Sequence, residues 1–434
     1  MSANGTAPPR LPLAGVRVAD FSRVVAGPYG THLLARMGAD VIKVEGLAPL
    51  DHTREVGPYS DERRSINRSG YFSAVNAGKR SVSLDLHDPV HAAFAQEIAL
   101  ASEIVVESFR TGGADRFGIG WSVLSARKPS IVLSSCSGFG QAGEMRVHSA
   151  YMNTVAAFVG LTALTGEDGP QQMPLGATFS DLVSGTALAC GSLLAYRRAQ
   201  VTGRGRHVDL SMAEATMAMM GQHFMAYFAD RSLPQRRGNR FTGTAPSNAY
   251  PCLGADKWIA ISVSSEAEWA NLTRAMGNPA WITEQRLASA AGRLANVQAL
   301  DAAIAAWTRD FDNLELTHRL QRAGVSAVPS SDPEDLCRNP HFQARGALKV
   351  QESVLEPGRM MPNLPWHFVG QPELNRTIPP APTLGQHNRA VLEELTSATP
   401  DQIAAIEQAA AAVAAAPGRG GPPAVSAGTA TQQR

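Results

Sequence analysis

Paired cysteines are missing from this chain. It has four cysteines, Cys136, Cys190, Cys252 and Cys337, far apart and with no CxxC pair. That leaves a zinc knuckle or a thioredoxin-type motif without support. Long apolar runs are missing too: no stretch approaches the roughly 18 residues of a membrane span. The first ten residues, MSANGTAPPR, lack the apolar core of a signal peptide. The expectation is a reduced, cytoplasmic protein. Nor is there an excess of one charge: 39 Lys and Arg face 38 Asp and Glu, a formal net charge of +1. Such a balance exerts no long-range pull on nucleic acid or acidic lipid, so neither nucleic acid nor membrane is an expected partner. There is no Walker A lysine motif, no HExxH and no GxSxG elbow, which argues against ATP hydrolysis, zinc chemistry and a serine nucleophile. No metal site is expected.

What is present is a globular composition, 434 residues with 44% hydrophobic and 18% charged. That length suits two or three domains. Val16–Phe21 alternates like a strand, Ala26-Gly27-Pro28 marks a turn into the helical spacing of Tyr29–Met37, and Val41–Glu45 reads as the next strand. Further strands are expected at 81–86, 104–109 and 131–136, with a helix at 90–102. Strands alternating with helices imply a parallel sheet covered on both faces. The pattern then turns helical at 152–164 and 182–198, returns to a strand at 206–210, and continues in a Met-rich helix at 213–228. A smaller α+β region follows, with strand 257–262 and helix 266–276. The expected division is a tail at 1–9, a large α/β domain at 10–228, a linker at 229–242 and a small α+β domain at 243–335. A return to the large domain follows at 336–408, then an Ala/Gly/Pro-rich tail at 409–434 that cannot bury enough apolar surface to order itself.

Gly138-Phe-Gly140-Gln-Ala-Gly143 matches GxGxxG after a strand. A nicotinamide site would need a helix starting on those glycines, and Glu144–Ser149 is not a helix start. The loop can still cradle a phosphate or a pantetheine arm. Asp181 lies just ahead of an apolar helical run. Locally it reads first as an N-cap carboxylate, and second as a nucleophile activated by partial desolvation. Met212, Met217, Met219, Met220 and Met225 read as adaptable core packing or as substrate lining.

Taken in order, several stretches resemble the family III CoA-transferases, the group that contains formyl-CoA transferase. They include Leu13–Phe21, Ala26–Pro28, Gly38–Glu45, Asn76–Ser81, Val106–Phe109, Asp115–Gly118, Ser137–Gln141, the Asp181 segment, Gly203–Ala215, Pro340–Gly346 and Ala381–Gln386. The resemblance implies a Rossmann-like large domain with a smaller inserted domain, two chains interlocked as a homodimer, and acyl-CoA and a small carboxylic acid as partners. It implies coenzyme A as a substrate with no permanently bound cofactor, and Asp181 as nucleophile. By position it assigns Val24, Ala26, Arg54, Leu84, Ser108, Phe109, Arg116, Ser137, Gly138, Phe139 and Gly140 to CoA, and Val25, Tyr151 and Thr244 to the acid. Formyl-CoA transferase has glutamine at the position of Val25 and a glycine-rich loop near 242–245, departures that make oxalate a poor expected acceptor. The α-methylacyl-CoA racemases of the same fold have a Gly-His-Asp triplet aligned with Ala150-Tyr151-Met152, so the imidazole base of that reaction is replaced by a phenol. An intramolecular CoA-transferase and an inactive acyl-CoA-binding scaffold are the remaining alternatives. The less polar residues around Val25 and Tyr151 point to a short or branched mono- or dicarboxylate.

Overall fold

Val18, Val41, Ile104, Val106 and Val132 belong to one apolar cluster, and Ala19, Ile42, Val105 and Leu133 to another. Neighbours along each strand thus go to opposite faces, as the two-residue repeat of a strand demands, and both faces are buried. The computed structural model describes residues 10–416, apart from 61–62, 168, 170, 174, 177, 234, 242 and 372–376. Six parallel strands form the sheet: β1 (Arg17–Phe21), β2 (Asp40–Glu45), β3 (Arg80–Ser83), β4 (Ile104–Glu107), β5 (Val132–Ser137) and β6 (His207–Ser211). Their order is β3-β2-β1-β4-β5-β6. The order reverses direction between β1 and β4, and in open α/β sheets that switch point opens a crevice at the carboxyl ends of the strands.

Contacts divide the described residues into two units. The first takes those of Met1–Leu161, Leu175–Ser232 and Gly346–Arg434; the second takes those of Thr162–Pro174 and Leu233–Arg345. The second unit is therefore wider than the segment 243–335 expected from sequence. It folds on an antiparallel sheet of β7 (Ser247–Pro251), β8 (Trp258–Ser262) and β9 (Ser326–Ser330). Its core joins Ile259 and Ile261 to Leu272, Leu300, Ile304, Leu316 and Leu320 from three helices.

In the first unit the chain returns through an antiparallel hairpin, β10 (Leu348–Val350) and β11 (Met360–Pro362). Helices Asn388–Leu395 and Pro400–Ala415 then place Val391, Leu392, Ile403 and Ile406 on the sheet. Burying each such side chain contributes about 1.5–3 kcal/mol. The Pro400–Ala415 helix, capped by Thr399 with Gln402 reaching back, runs past the expected tail boundary at 409. Ala410 lies in its buried stripe, which explains the extension. The tail expected at 1–9 and the part beyond 416 lie outside the described residues. Two expected helices are each divided. Gly160 takes φ +87 between helices Met152–Phe158 and Leu161–Leu164, and the Met-rich run splits at Met219–Met220 into Met212–Ala218 and Gly221–Asp230.

Candidate active site

Two glycines decide where Asp181 stands. A Cβ on Gly30 would lie 2.7 Å from the Gly185 carbonyl oxygen, and a Cβ on Gly185 would lie 2.5 Å from the Ala26 carbonyl oxygen. Helices Ala26–Arg36 and Phe179–Thr202 therefore cross with their backbones in contact, a closeness that no other residue type permits. Asp181 lies one turn before Gly185 on the same helix face. The crossing thus brings its carboxylate to the loop after β1.

Asp181 is in the first turn of its helix, while Thr178 occupies the capping position without a side-chain cap bond. The N-cap reading of Asp181 is thereby corrected. Asp181 is 8% exposed. Burial pushes its carboxyl up to about 6, with only its own backbone amide opposing. It lines a cavity of about 490 Å³ together with Val24, Val25, Ala26, Ser108, Phe109, Ser137, Gly138 and Tyr151. These residues come from the loops after β1, β4 and β5 and from the start of helix Met152–Phe158, so the cleft lies at the switch point of the sheet. The Ser108 hydroxyl accepts the Arg23 N–H at 2.9 Å, joining two of these loops. The Ser137 hydroxyl is buried without a hydrogen-bond partner among the described residues. Val24 has φ +68, a left-handed conformation costly for a β-branched residue, held with its N–H 3.3 Å from Asp51 Oδ1.

Cys136 shares the cleft, but burial, with the nearby charges of Glu107 and Asp181, pushes its thiol up to about 12. It is neutral at physiological pH and cannot compete as nucleophile.

Other expected contacts lie elsewhere. Arg54 is fully buried: Nε and Nη2 donate to the Glu45 carboxylate at 2.7 and 2.8 Å, Nη1 reaches the Ile66 carbonyl at 3.3 Å, and the guanidinium lies 3.6 Å from the Phe72 ring centroid. It is a structural cation and has no face for CoA. The Leu84 side chain is likewise fully buried in the core. Phe139 turns to the core and meets Phe158 edge-on at 5.1 Å. Gly140 takes φ +82, and the following Gln141 N–H donates to Asp209 Oδ1 at 2.9 Å, which ties this corner to β6. Arg116 is exposed on the short helix Gly113–Arg116 and does not line the cleft. Thr244 belongs to the second unit, its hydroxyl buried without a hydrogen-bond partner among the described residues.

The cations that do line the cleft, Arg23, Arg110 and Arg146, were not singled out from sequence, nor was His52. A usable signal existed for two of them, because Arg23 and Arg110 follow the carboxyl ends of β1 and β4, where α/β sheets bind ligands. Among the described residues no cluster could hold a metal ion, and no helix is long and apolar enough to cross a membrane.

A buried carboxylate with a raised pKa, at the wall of a switch-point cleft lined by arginines, suits acyl chemistry on an anionic substrate. The family model for CoA-transferase family III matches residues 13–388. The succinyl-CoA–D-citramalate CoA-transferase of Chloroflexus aurantiacus is 31% identical over 401 residues, 92% of this chain and 98% of that protein. The acetyl-CoA:oxalate CoA-transferase of Acetobacter aceti is 32% identical over 398 residues, 92% of this chain and 99% of its own. A solved CAIB/BAIF family protein from Brucella suis superposes with a TM-score of 0.81 at 27% identity, covering 89% of this chain and 100% of that one. The chain belongs to CoA-transferase family III, and it is an acyl-CoA:carboxylate CoA-transferase.

Proposed function

We propose that Asp181 is the nucleophile that carries the acyl group and then CoA. Its carboxylate attacks the donor thioester carbon, and the C–S bond breaks to release CoA thiolate and leave an acyl-aspartyl anhydride. The thiolate attacks the aspartyl carbon of that anhydride, expelling the donor acid as carboxylate and forming an aspartyl-CoA thioester. The acceptor carboxylate attacks the same carbon and releases the thiolate, which finally takes the new acyl group and frees Asp181. Each step exchanges one activated acyl bond for another, so no net proton is consumed.

The observation that supports this reading is the environment of Asp181, buried on the wall of the cleft with no cation partner among the described residues. Desolvation strengthens a carboxylate nucleophile. Developing oxyanions would be met by the Ala26 and Gly27 N–H groups, which begin a helix and so lack intrahelical acceptors. Arg23, Arg110 and Arg146 would take the CoA phosphates, for which guanidinium offers paired donors.

A homodimer is part of the same proposal. Helix Gly221–Asp230 has no buried residue, yet Phe224, Met225, Tyr227 and Phe228 are exposed along it. A second copy of the chain would cover that apolar surface. A reducing cytoplasm fits the four free cysteines.

The test is to incubate the purified protein with succinyl-CoA or acetyl-CoA and a panel of acids, following every CoA ester by mass spectrometry. New esters are expected with the wild type and none with Asp181→Ala. Deuterium uptake at the α-carbon from D₂O without new esters would replace the transferase with a racemase.

A further inference from the structure

Behind the wall that carries Asp181 lies a second, more enclosed space of about 260 Å³, bounded by Val25, Leu33, Tyr71, Leu182, Leu364 and Ile378 among others. It adjoins the cleft, since Val25 lines both spaces. Thr178 and Leu182, which also line it, bracket Asp181 on its helix. Tyr71 lies close enough for the Asp181 charge, after burial, to help push its phenol above the ordinary range.

We propose that this chamber receives the acyl chain of an apolar monocarboxylic acid and rejects a chain that ends in a second carboxylate. The inference rests on Asp181 as the acyl-accepting group and adds the class of acid.

Among the described residues that line the chamber, none is Lys, Arg, Asp or Glu. Its one imidazole, His32, gives no cation. Its Nδ1 lies 3.0 Å from the Ala77 carbonyl and therefore carries the proton toward that oxygen. Burial, and then the Lys79 ammonium, hold the ring down at about 3, so it is neutral at working pH. Asn363 is occupied as well: its amide nitrogen donates to the Gly346 carbonyl at 3.1 Å, and its oxygen accepts Arg36 Nη2 at 2.8 Å. The Arg36 guanidinium does not line the chamber: its Nη2 is engaged by Asn363, and its Nη1 is buried without a hydrogen-bond partner among the described residues. A terminal carboxylate entering here would be desolvated with no counter-charge, whereas methyl groups would meet Leu and Val side chains.

Succinyl-CoA and 4-methylpentanoyl-CoA make the comparison, because the second replaces the terminal carboxylate with an isopropyl group that has the same number of heavy atoms. Calorimetric binding to the wild-type protein is expected to favour 4-methylpentanoyl-CoA by about tenfold or more, a ratio of the size that a desolvated, unpaired charge imposes. Leu364→Phe, which narrows the chamber, is expected to reduce that ratio. Equal or tighter binding of succinyl-CoA to the wild type would overturn the proposal whatever the variant does. Transfer assays on the same two esters separate this inference from the one it rests on. Preferential binding without any transfer leaves the chamber standing and removes the nucleophile, while transfer that favours succinate removes the chamber and keeps the nucleophile.

Discussion

Asp20 and Asp181 are both buried aspartates of the first unit, and their surroundings drive them in opposite directions. Burial pushes each carboxyl up. At Asp20 this is outweighed by the Lys79 and Lys43 ammonium groups and by Ser22 and Thr31, which hold it at about 2. Asp20 Oδ2 accepts from Lys79 Nζ at 2.9 Å and from the Thr31 hydroxyl at 2.6 Å. The cluster extends through Lys43 to Asp51 at 3.1 Å, and Arg54 pairs with Glu45 at 2.7 Å nearby in the first unit. Among the described residues no cation is paired with Asp181, which rises to about 6. Burial alone therefore does not say what a carboxylate is for; the count of donors and cations around it does. A carboxylate saturated with donors is locked as part of the scaffold, whereas one left without them is available to attack carbon.

Removing each carboxylate separates these proposed roles, and the largest effect is expected at the proposed nucleophile. Asp181→Ala should lower kcat for CoA transfer by at least ~10⁴-fold, as loss of a covalent nucleophile does. Its midpoint of thermal unfolding should stay near that of the wild type, because no ion pair is broken. Asp20→Asn should do the reverse. Leaving Lys79 and Lys43 short of a counter-charge is expected to destabilise the fold by about 3–5 kcal/mol, read from urea unfolding. An Asp20→Asn protein as stable as the wild type would erase the distinction.

pH sharpens the same contrast. As the proposed nucleophile Asp181 has to be ionised, and its folded pKa is raised, so kcat/KM should fall about tenfold per unit below pH 6. Asp20 has a depressed folded pKa. Its contribution to stability is present above the ordinary value of 3.8 and is lost only as pH falls through about 2. Near pH 5 transfer should therefore be failing while circular dichroism still reports a folded chain. The smallest effect is expected at the helix crossing. Gly185→Ala forces a Cβ toward the Ala26 carbonyl and should cost about 1–3 kcal/mol, together with a lowered kcat as Asp181 moves from the cleft.

Much of the sheet was legible because its signal is local. Period-two apolar patterns in Val16–Phe21 and Val41–Glu45 fall on β1 and β2, and the Ala26-Gly27-Pro28 turn opens the helix that follows. Most of the residues assigned to the site also meet in one cleft, since they follow strand ends that the pattern already marked. Arg54 was not legible as a structural cation. Its burial depends on Glu45 facing it from β2 and on Phe72 stacking over it from another helix, and no spacing in the sequence encodes that meeting. The Met-rich run looked like one helix because helical periodicity does not register a break in direction at Met219–Met220. The apolar chamber joins Val25 and Leu33 to Leu364 and Ile378, hundreds of residues later, so only the folded return of the chain reveals it.

The most direct measurement is to quench wild-type protein turning over an acyl-CoA with hydroxylamine and sequence its peptides by mass spectrometry. A hydroxamate on Asp181, absent without acyl-CoA and absent in Asp181→Ala, is the expected result. Transfer that continues with Asp181 unmodified, or a hydroxamate on a different carboxylate, would contradict the account.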